Sequence, residues 1–415
     1  MDKKTKLYVD RKTFILDSIK NGKKTEEVMA INFLQDELHD VLYSYINGGF
    51  SKKGFIFYPL VKDLSGKNKN RINDMRIIAG FLNENNHDFS GTLNLFKKNK
   101  LNAGNAPLFI SSFYKDFSNI KKPEGKCKKI KCKKFNFNDY NKEDSKYLEP
   151  VLELNSFAKD KLNGYLVDFH IHGSIATKDY IKGWSDLDTL IIIKKSVLGD
   201  AELLISLRDL LYKSKKYFYK IDPLQHHGHM AITEHDLDYY CQAFFPLQLF
   251  KYSKSVFGNK ILDFKIRDGR MENINRFYFF VDYFKNLYEN EIFNLGSYEL
   301  KNFFHAITLF PTMYLQAKGV HIYKKFSFAM AKEDFGKKLW EPIDAVSKIR
   351  KDWKTPNEIP FVDRISGMNP LFAYQINSRY WDLFNGIGRL NNIDIKKLLT
   401  QMSLLAENAW NKIKI

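Results

Sequence analysis

A chain of 415 residues with 66 Lys and Arg against 48 Asp and Glu carries a net charge of +18. That length exceeds one ordinary hydrophobic core and predicts two or three domains, while a hydrophobic share of 44% excludes general disorder. No apolar run reaches the roughly 18 residues of a membrane span, no apolar stretch follows the charged start at Met1–Lys6, and three cysteines cannot build a disulfide framework, so a cytoplasmic protein is expected.

Residues 1–150 read as an accessory N-terminal region. Val28, Ile31, Leu34, Leu38, Val41 and Leu42 carry helical spacing, which predicts an amphipathic helix over Glu26–Tyr45. Shorter patterned pieces follow at Phe55–Leu60 and Arg76–Leu82. Eight lysines crowd Lys121–Lys134, which reads as an exposed loop between domains; a polyanion contact is the less favoured reading because no aromatics alternate with the lysines, and Cys127 and Cys132 there lack the second pair that a zinc site needs.

From about residue 150 the pattern changes. Leu152–Leu162 reads as a helix, Tyr165–Ile171 as a strand and Leu187–Ile193 as a buried strand. Lys195–Lys213 then reads as a helix, Tyr217–Ile221 as a third strand and His229–Thr233 as a fourth. This order describes a small unit with helices against a mixed sheet. Beyond about residue 250 the chain turns helical, at Arg270–Glu289, Ser297–Lys318 and Ile395–Ile413. Pro311 is expected to kink the second of these and Gly319 to end it.

The chemistry concentrates in residues 167–193. Asp186 and Asp188 are one residue apart on a predicted strand, so both carboxylates project from one face. Two such groups repel unless a cation lies between them, and oxygen-only ligands suit Mg²⁺ or Mn²⁺. Gly173-Ser174 ends the preceding strand, where glycine permits a tight turn and the hydroxyl and nearby N–H groups can bind phosphate oxygens.

His172-Gly173-Ser174, a spacer from Ile175 to Ser185, then Asp186-Leu187-Asp188 leading into Leu190–Ile193 resembles the DNA polymerase β-like nucleotidyltransferase superfamily, over about 60–90 residues. Ser185 matches the common S-D-x-D form; His172 and Thr189 depart from the usual apolar residues. The resemblance implies an α+β fold. A small mixed-sheet nucleotidyltransferase core at 151–250 would lie between the accessory region (1–150) and a helical C-terminal domain (251–415). It implies metal held by Asp186, Asp188 and a third carboxylate, for which Asp222 is the choice and Glu234, Asp236 and Asp238 are rivals. Gly173, Ser174 and Ser185 would bind the nucleotide. The expected reaction moves a nucleoside monophosphate from a nucleoside triphosphate to an acceptor hydroxyl and releases pyrophosphate. A small-molecule acceptor is favoured, with RNA and protein as alternatives.

Six of ten histidines lie between 170 and 235. A second reading takes Asp168-Phe169-His170-Ile171-His172 as the D-x-H-x-H of a Zn-dependent amidohydrolase-like enzyme, with His226, His227 or His229 completing the site. The helical sequence beyond 250 leaves too few strands for its barrel. The cluster from His226 to His229 could instead line the acceptor side of the cleft; Lys318 and Lys324-Lys325, at a helix break, could contact a triphosphate, but surface lysines are the favoured reading. A third reading is a catalytically inactive nucleotide-binding relative.

Overall fold

A computed structural model describes residues 10–19, 24–47, 65–225, 227–353 and 393–413. Six strands form one sheet: β1 (Lys126–Lys134), β2 (Leu166–Ile171), β3 (Thr189–Ile193), β4 (Met230–Thr233), β5 (Lys254–Ser255) and β6 (Lys260–Ile266). Their order is β4-β3-β2-β5-β1-β6. The sheet is mixed: β2 runs antiparallel to β3 and β5, β6 antiparallel to β1, and the β3–β4 and β1–β5 pairs are parallel. With helices on its faces this is an open-sheet α+β fold.

β3 is covered on both sides because every residue from Leu190 to Ile193 is apolar and fully buried. Leu190 and Ile192 pack with Cys132, Ile232, Phe250 and Phe264 on one face. Ile191 and Ile193 join a larger cluster on the other. There they share a core with α1 (Arg11–Ile19), α2 (Lys24–Ile46), α3 (Gly66–Glu84), α5 (Ala106–Ser118), α6 (Ser145–Phe157) and α9 (Ala201–Ile221). The short helices α4 (Ser90–Lys98), α7 (Gly173–Thr177), α8 (Lys195–Leu198), α10 (Glu234–Leu237) and α11 (Leu247–Tyr252) complete this part.

A separate aromatic-rich cluster belongs to α12 (Arg270–Glu289), α13 (Ser297–Ala317), α14 (Lys324–Lys332), α15 (Lys337–Asp352) and α16 (Ile395–Asn411). Two residues from the sheet part, Trp184 and Leu224, are buried in it. Each lies two positions from an expected site carboxylate, Asp186 and Asp222, so the helical layer is anchored beside the acids. Pro311 stays inside α13, and Gly319 (φ +81) follows its end, its N–H bonded to the Gln316 carbonyl at 2.8 Å.

Three sequence expectations change. Tyr217–Ile221 is not a strand but the last turns of α9, because Leu204, Leu207, Leu211, Ser214, Phe218 and Ile221 keep one helical stripe in the core. That periodicity overrides the strand preference of the aromatic residues. Asp200 starts this helix by accepting from the Glu202 and Leu203 N–H groups at 2.9 and 3.0 Å. Most of Lys121–Lys134 is not a loop but strand β1, laddered to β6 from Lys126↔Ile266 to Cys132↔Lys260, with Cys132 and Ile130 turned toward Leu262 and Phe264. Asp186 and Asp188 stand just before β3 instead of within it. The pairing nevertheless continues: the His172 N–H donates to the Asp188 carbonyl at 3.0 Å, and Leu187 between the two acids is fully buried. Phe55–Leu60 and His226 lie outside the described residues.

Candidate functional site

β2 ends at Ile171, His172 is extended, and Gly173 opens α7 at φ +67. A Cβ added to Gly173 would lie 1.9 Å from Asp188 Oδ2 and 2.8 Å from its Cγ. Only glycine allows both the left-handed backbone and this approach. The expected small-residue turn and the second acid are thus in direct contact.

The first acid meets the third. Asp222 caps the C-terminus of α9, its N–H bonded to the Phe218 carbonyl. Its Oδ1 accepts from the Leu224 N–H at 3.1 Å, which turns the chain out of the helix. The buried ammonium of Lys301, on α13, donates to Asp186 Oδ1 at 3.0 Å and to Asp222 Oδ2 at 2.5 Å. Gln225 clamps the acidic segment from the same loop: its Oε1 accepts from the Leu187 N–H at 3.0 Å and its Nε2 donates to the Leu187 carbonyl at 3.1 Å. His227 Nε2 sits 3.0 Å from Asp188 Oδ1 and 3.7 Å from Asp186 Oδ2. His305 Nε2, one helical turn beyond Lys301, is 3.8 Å from the same Asp186 oxygen.

Trp184 organises the cationic side. Its ring stacks on His305 at 4.8 Å, and the Arg350 guanidinium and Lys301 ammonium lie 5.7 and 5.6 Å from its centroid. Half-buried Lys324 donates to Thr308 Oγ1 at 3.2 Å. Two acidic loops of the sheet layer therefore face Lys301, His305, Lys324 and Arg350 from the helical layer.

Electrostatics follow from this opposition. Burial works against charge on His227, but its hydrogen bond to Asp188 and the charges of Asp188 and Asp186 hold its pKa up at about 9. Burial would raise Asp188, yet the His227 bond and the fields of His172 and His227 leave it below its ordinary value. His172 is lowered by burial, against the pull of Asp188. Lys324 falls to about 8, through burial and the charge of Arg350, with Asp188 and Asp186 opposing. Burial and the nearby Asp186 charge push Asp222 up against the attraction of Lys301, while both acids raise Lys301 against its own desolvation. The two buried acids hold one more negative charge than Lys301 neutralises, so Lys301 stays charged and the proton affinity of the pair rises.

The other expected site residues have other partners. Ser174 lies in α7 next to Gly173, and its carbonyl accepts from the Asp179 N–H at 3.1 Å. Ser185 Oγ accepts from the Ile181 N–H at 2.9 Å and closes the loop that carries Trp184. Glu234 holds the Lys195 N–H, Asp236 caps α10 with Thr233, and Asp238 pairs with Lys195. His170 is buried between Asp168 (3.1 Å) and Ser253 (2.9 Å) in the sheet. Lys318 pairs with Asp334. Lys301 and His305 carried no sequence motif, although a lysine among Leu300, Phe303 and Phe304 on a buried stripe was a signal.

The donors suit a hard cation in kind: three carboxylates with an imidazole beside them. Lys301 already bridges Asp186 and Asp222, and the three acids do not form a grouping compact enough for one ion. Among the described residues, the grouping compact enough for one ion is Asp36, Cys241 and Glu272. Arg11 and Arg267 fill that cluster with ion pairs. Among the described residues no helix is long and apolar enough to cross a membrane. No family model, curated protein or solved structure matches the chain.

Proposed function

We propose that the protein is a metal-dependent nucleotidyltransferase that transfers a nucleoside monophosphate from a nucleoside triphosphate to an acceptor hydroxyl. The observation that carries this reading is the contact of Gly173 with Asp188 beside Asp186 and Asp222, with cationic side chains facing them. Asp186 and Asp188 would hold Mg²⁺ or Mn²⁺, which supplies charge neutralisation at the phosphates and a more acidic acceptor hydroxyl.

The chain's own groups supply the rest. The turn at Gly173 and Ser174 offers backbone N–H groups and a hydroxyl to phosphate oxygens. Lys324 and Arg350 add positive charge where the triphosphate and departing pyrophosphate carry negative charge. Asp222, in its ionised form, would accept a proton from an acceptor hydroxyl near Asp186. Gln225 and Trp184 fix the two acidic loops in place.

The test is incubation with each labelled nucleoside triphosphate, Mg²⁺ and a cell extract, followed by identification of the labelled product. Transfer that persists undiminished in the Asp186→Asn/Asp188→Asn variant would refute the assignment.

A further inference from the structure

We propose that the lysine-bearing outer face of β1, β6 and β5 binds single-stranded nucleic acid beside the carboxylate cluster. That this strand is also the acceptor rests on the nucleotidyltransferase reading; the binding surface does not. β1 reads KCKKIKCKK, a composition disfavoured in strands. Its register to β6 and β5 sets Cys127 opposite Lys265, Lys129 opposite Asp263, Lys131 opposite Ile261 and Lys133 opposite Lys254. The side chains of these rows share one face, where Lys129, Lys131, Lys133 and Lys265 are exposed and Asp263 is the one acid. Alternate residues of a strand lie about 7 Å apart, so the ladder fixes a row of ammonium groups at a spacing comparable with phosphates along an extended strand.

The face leads to the site. Lys133 is opposite Lys254, and Lys254 is opposite Ile171. Two residues past Ile171 stands Gly173, against Asp188. Beyond α7, Lys178 lies 5.9 Å over the ring of Tyr140. Tyr140 donates to the Ile175 carbonyl at 2.9 Å and stacks on half-buried Phe137 at 6.0 Å. Lysines beside aromatic rings form the usual platform for unpaired bases. Like charges directly opposite each other destabilise a sheet. The fold nevertheless keeps Lys133 against Lys254, where burial and the charges of Lys133 and Lys178 depress the Lys254 pKa. An anionic membrane is the less suited partner because Ile261 is the one exposed large apolar side chain in these rows.

The experiment is fluorescence anisotropy with a labelled oligouridylate at several salt concentrations. Wild-type binding is expected to weaken with salt at a logarithmic slope of about −3, as for four or five neutralised phosphates. Lys129→Glu/Lys131→Glu/Lys133→Glu is expected to lose affinity by about a hundredfold and to flatten the slope by about 2. Glutamate keeps this open face solvated as lysine does, so a purely solubilising role leaves affinity unchanged. The corresponding Lys→Gln triple variant should fall between. Asp186→Asn/Asp188→Asn should retain binding, which separates this surface from the catalytic reading. No wild-type binding, unchanged affinity in the glutamate variant, or capture by phosphatidylserine vesicles without oligonucleotide binding overturns the proposal.

Discussion

Replacing Gly173 by alanine tests the contact on which the site is built. The left-handed backbone at φ +67 costs a non-glycine residue about 1–2 kcal/mol. The new Cβ would also stand 1.9 Å from Asp188 Oδ2, so the carboxylate must swing away and loosen its 3.0 Å bond to His227. A hydrogen bond between charged groups contributes about 1.5–3 kcal/mol, so the total loss is expected near 3–4 kcal/mol. In an Asp188→Ala background the clash is gone, and the same substitution should cost only the backbone part, about 1–2 kcal/mol. The double-mutant cycle therefore predicts a coupling of about 1.5–3 kcal/mol, read from urea denaturation, alongside loss of nucleotide transfer in the single variant. Costs that add to within about 0.5 kcal/mol would show that Gly173 does not press on Asp188, and the site geometry would be wrong.

Lys301→Met should destabilise the fold by about 3–5 kcal/mol, because Asp186 and Asp222 keep their burial and lose their shared cation; adding Asp222→Asn should recover part of that loss in the same denaturation assay, and a wild-type midpoint for Lys301→Met would contradict the bridge. Mg²⁺ or Mn²⁺ should raise the thermal midpoint of the wild type, by about 2.7 kcal/mol of stabilisation at a hundredfold excess over Kd, and should leave Asp186→Asn/Asp188→Asn unmoved. Acid should weaken the fold through His229, which is held between Thr189 Oγ1 (2.9 Å) and Ser214 Oγ (2.7 Å) and is pushed down to about 3, mainly by burial. The unfolded imidazole takes up its proton near pH 6.5 and the folded one does not, so stability is full above that pH and falls as pH drops toward 3. The expected loss is about 2 kcal/mol between pH 6.5 and pH 5, and a His229→Gln variant with the same pH slope would refute the assignment.

Half of the sheet, β2, β3 and β4, could be read from pattern because burial leaves a local record, whereas β5 and β6 fall where the sequence reads as mainly helical. The Ile run of β3 and the β-forming residues of β2 needed no knowledge of their neighbours. Helices α2, α12, α13 and α16 likewise announced themselves through repeated apolar spacing. Two of the departures share one cause, which is that residue type and spacing point to different structures and spacing prevails. Tyr217, Phe218 and Ile221 looked like strand formers, yet they extend the stripe begun at Leu204. The lysines of β1 looked like a loop, yet a strand whose outer face is open to water tolerates them, and only Ile130 and Cys132 marked its inner side. Asp222 is expected at a strand end; the structure puts it at a helix end, joined to Asp186 through Lys301.

The site divides along the same line. Its acids come from short-range sequence, since Gly173, Asp186 and Asp188 lie at the ends of two adjacent strands and their spacing is fixed by one loop. Apart from His227, its cations come from the helical layer, 79 and 115 residues away in the case of the Lys301 contacts to Asp222 and Asp186, and no local pattern relates them to the acids. What brings the two sets together is hydrophobic. Trp184 and Leu224 leave the sheet layer and are buried among Phe303, Phe304 and Ile307 of the helical cluster. Each insertion fixes a carboxylate two residues away against Lys301. The charged centre is thus assembled by apolar burial at its two flanks, and the buried ion pairs refine an alignment that packing has already set. This is why acidic motifs alone point to one wall of the candidate site and not to the cations that face it.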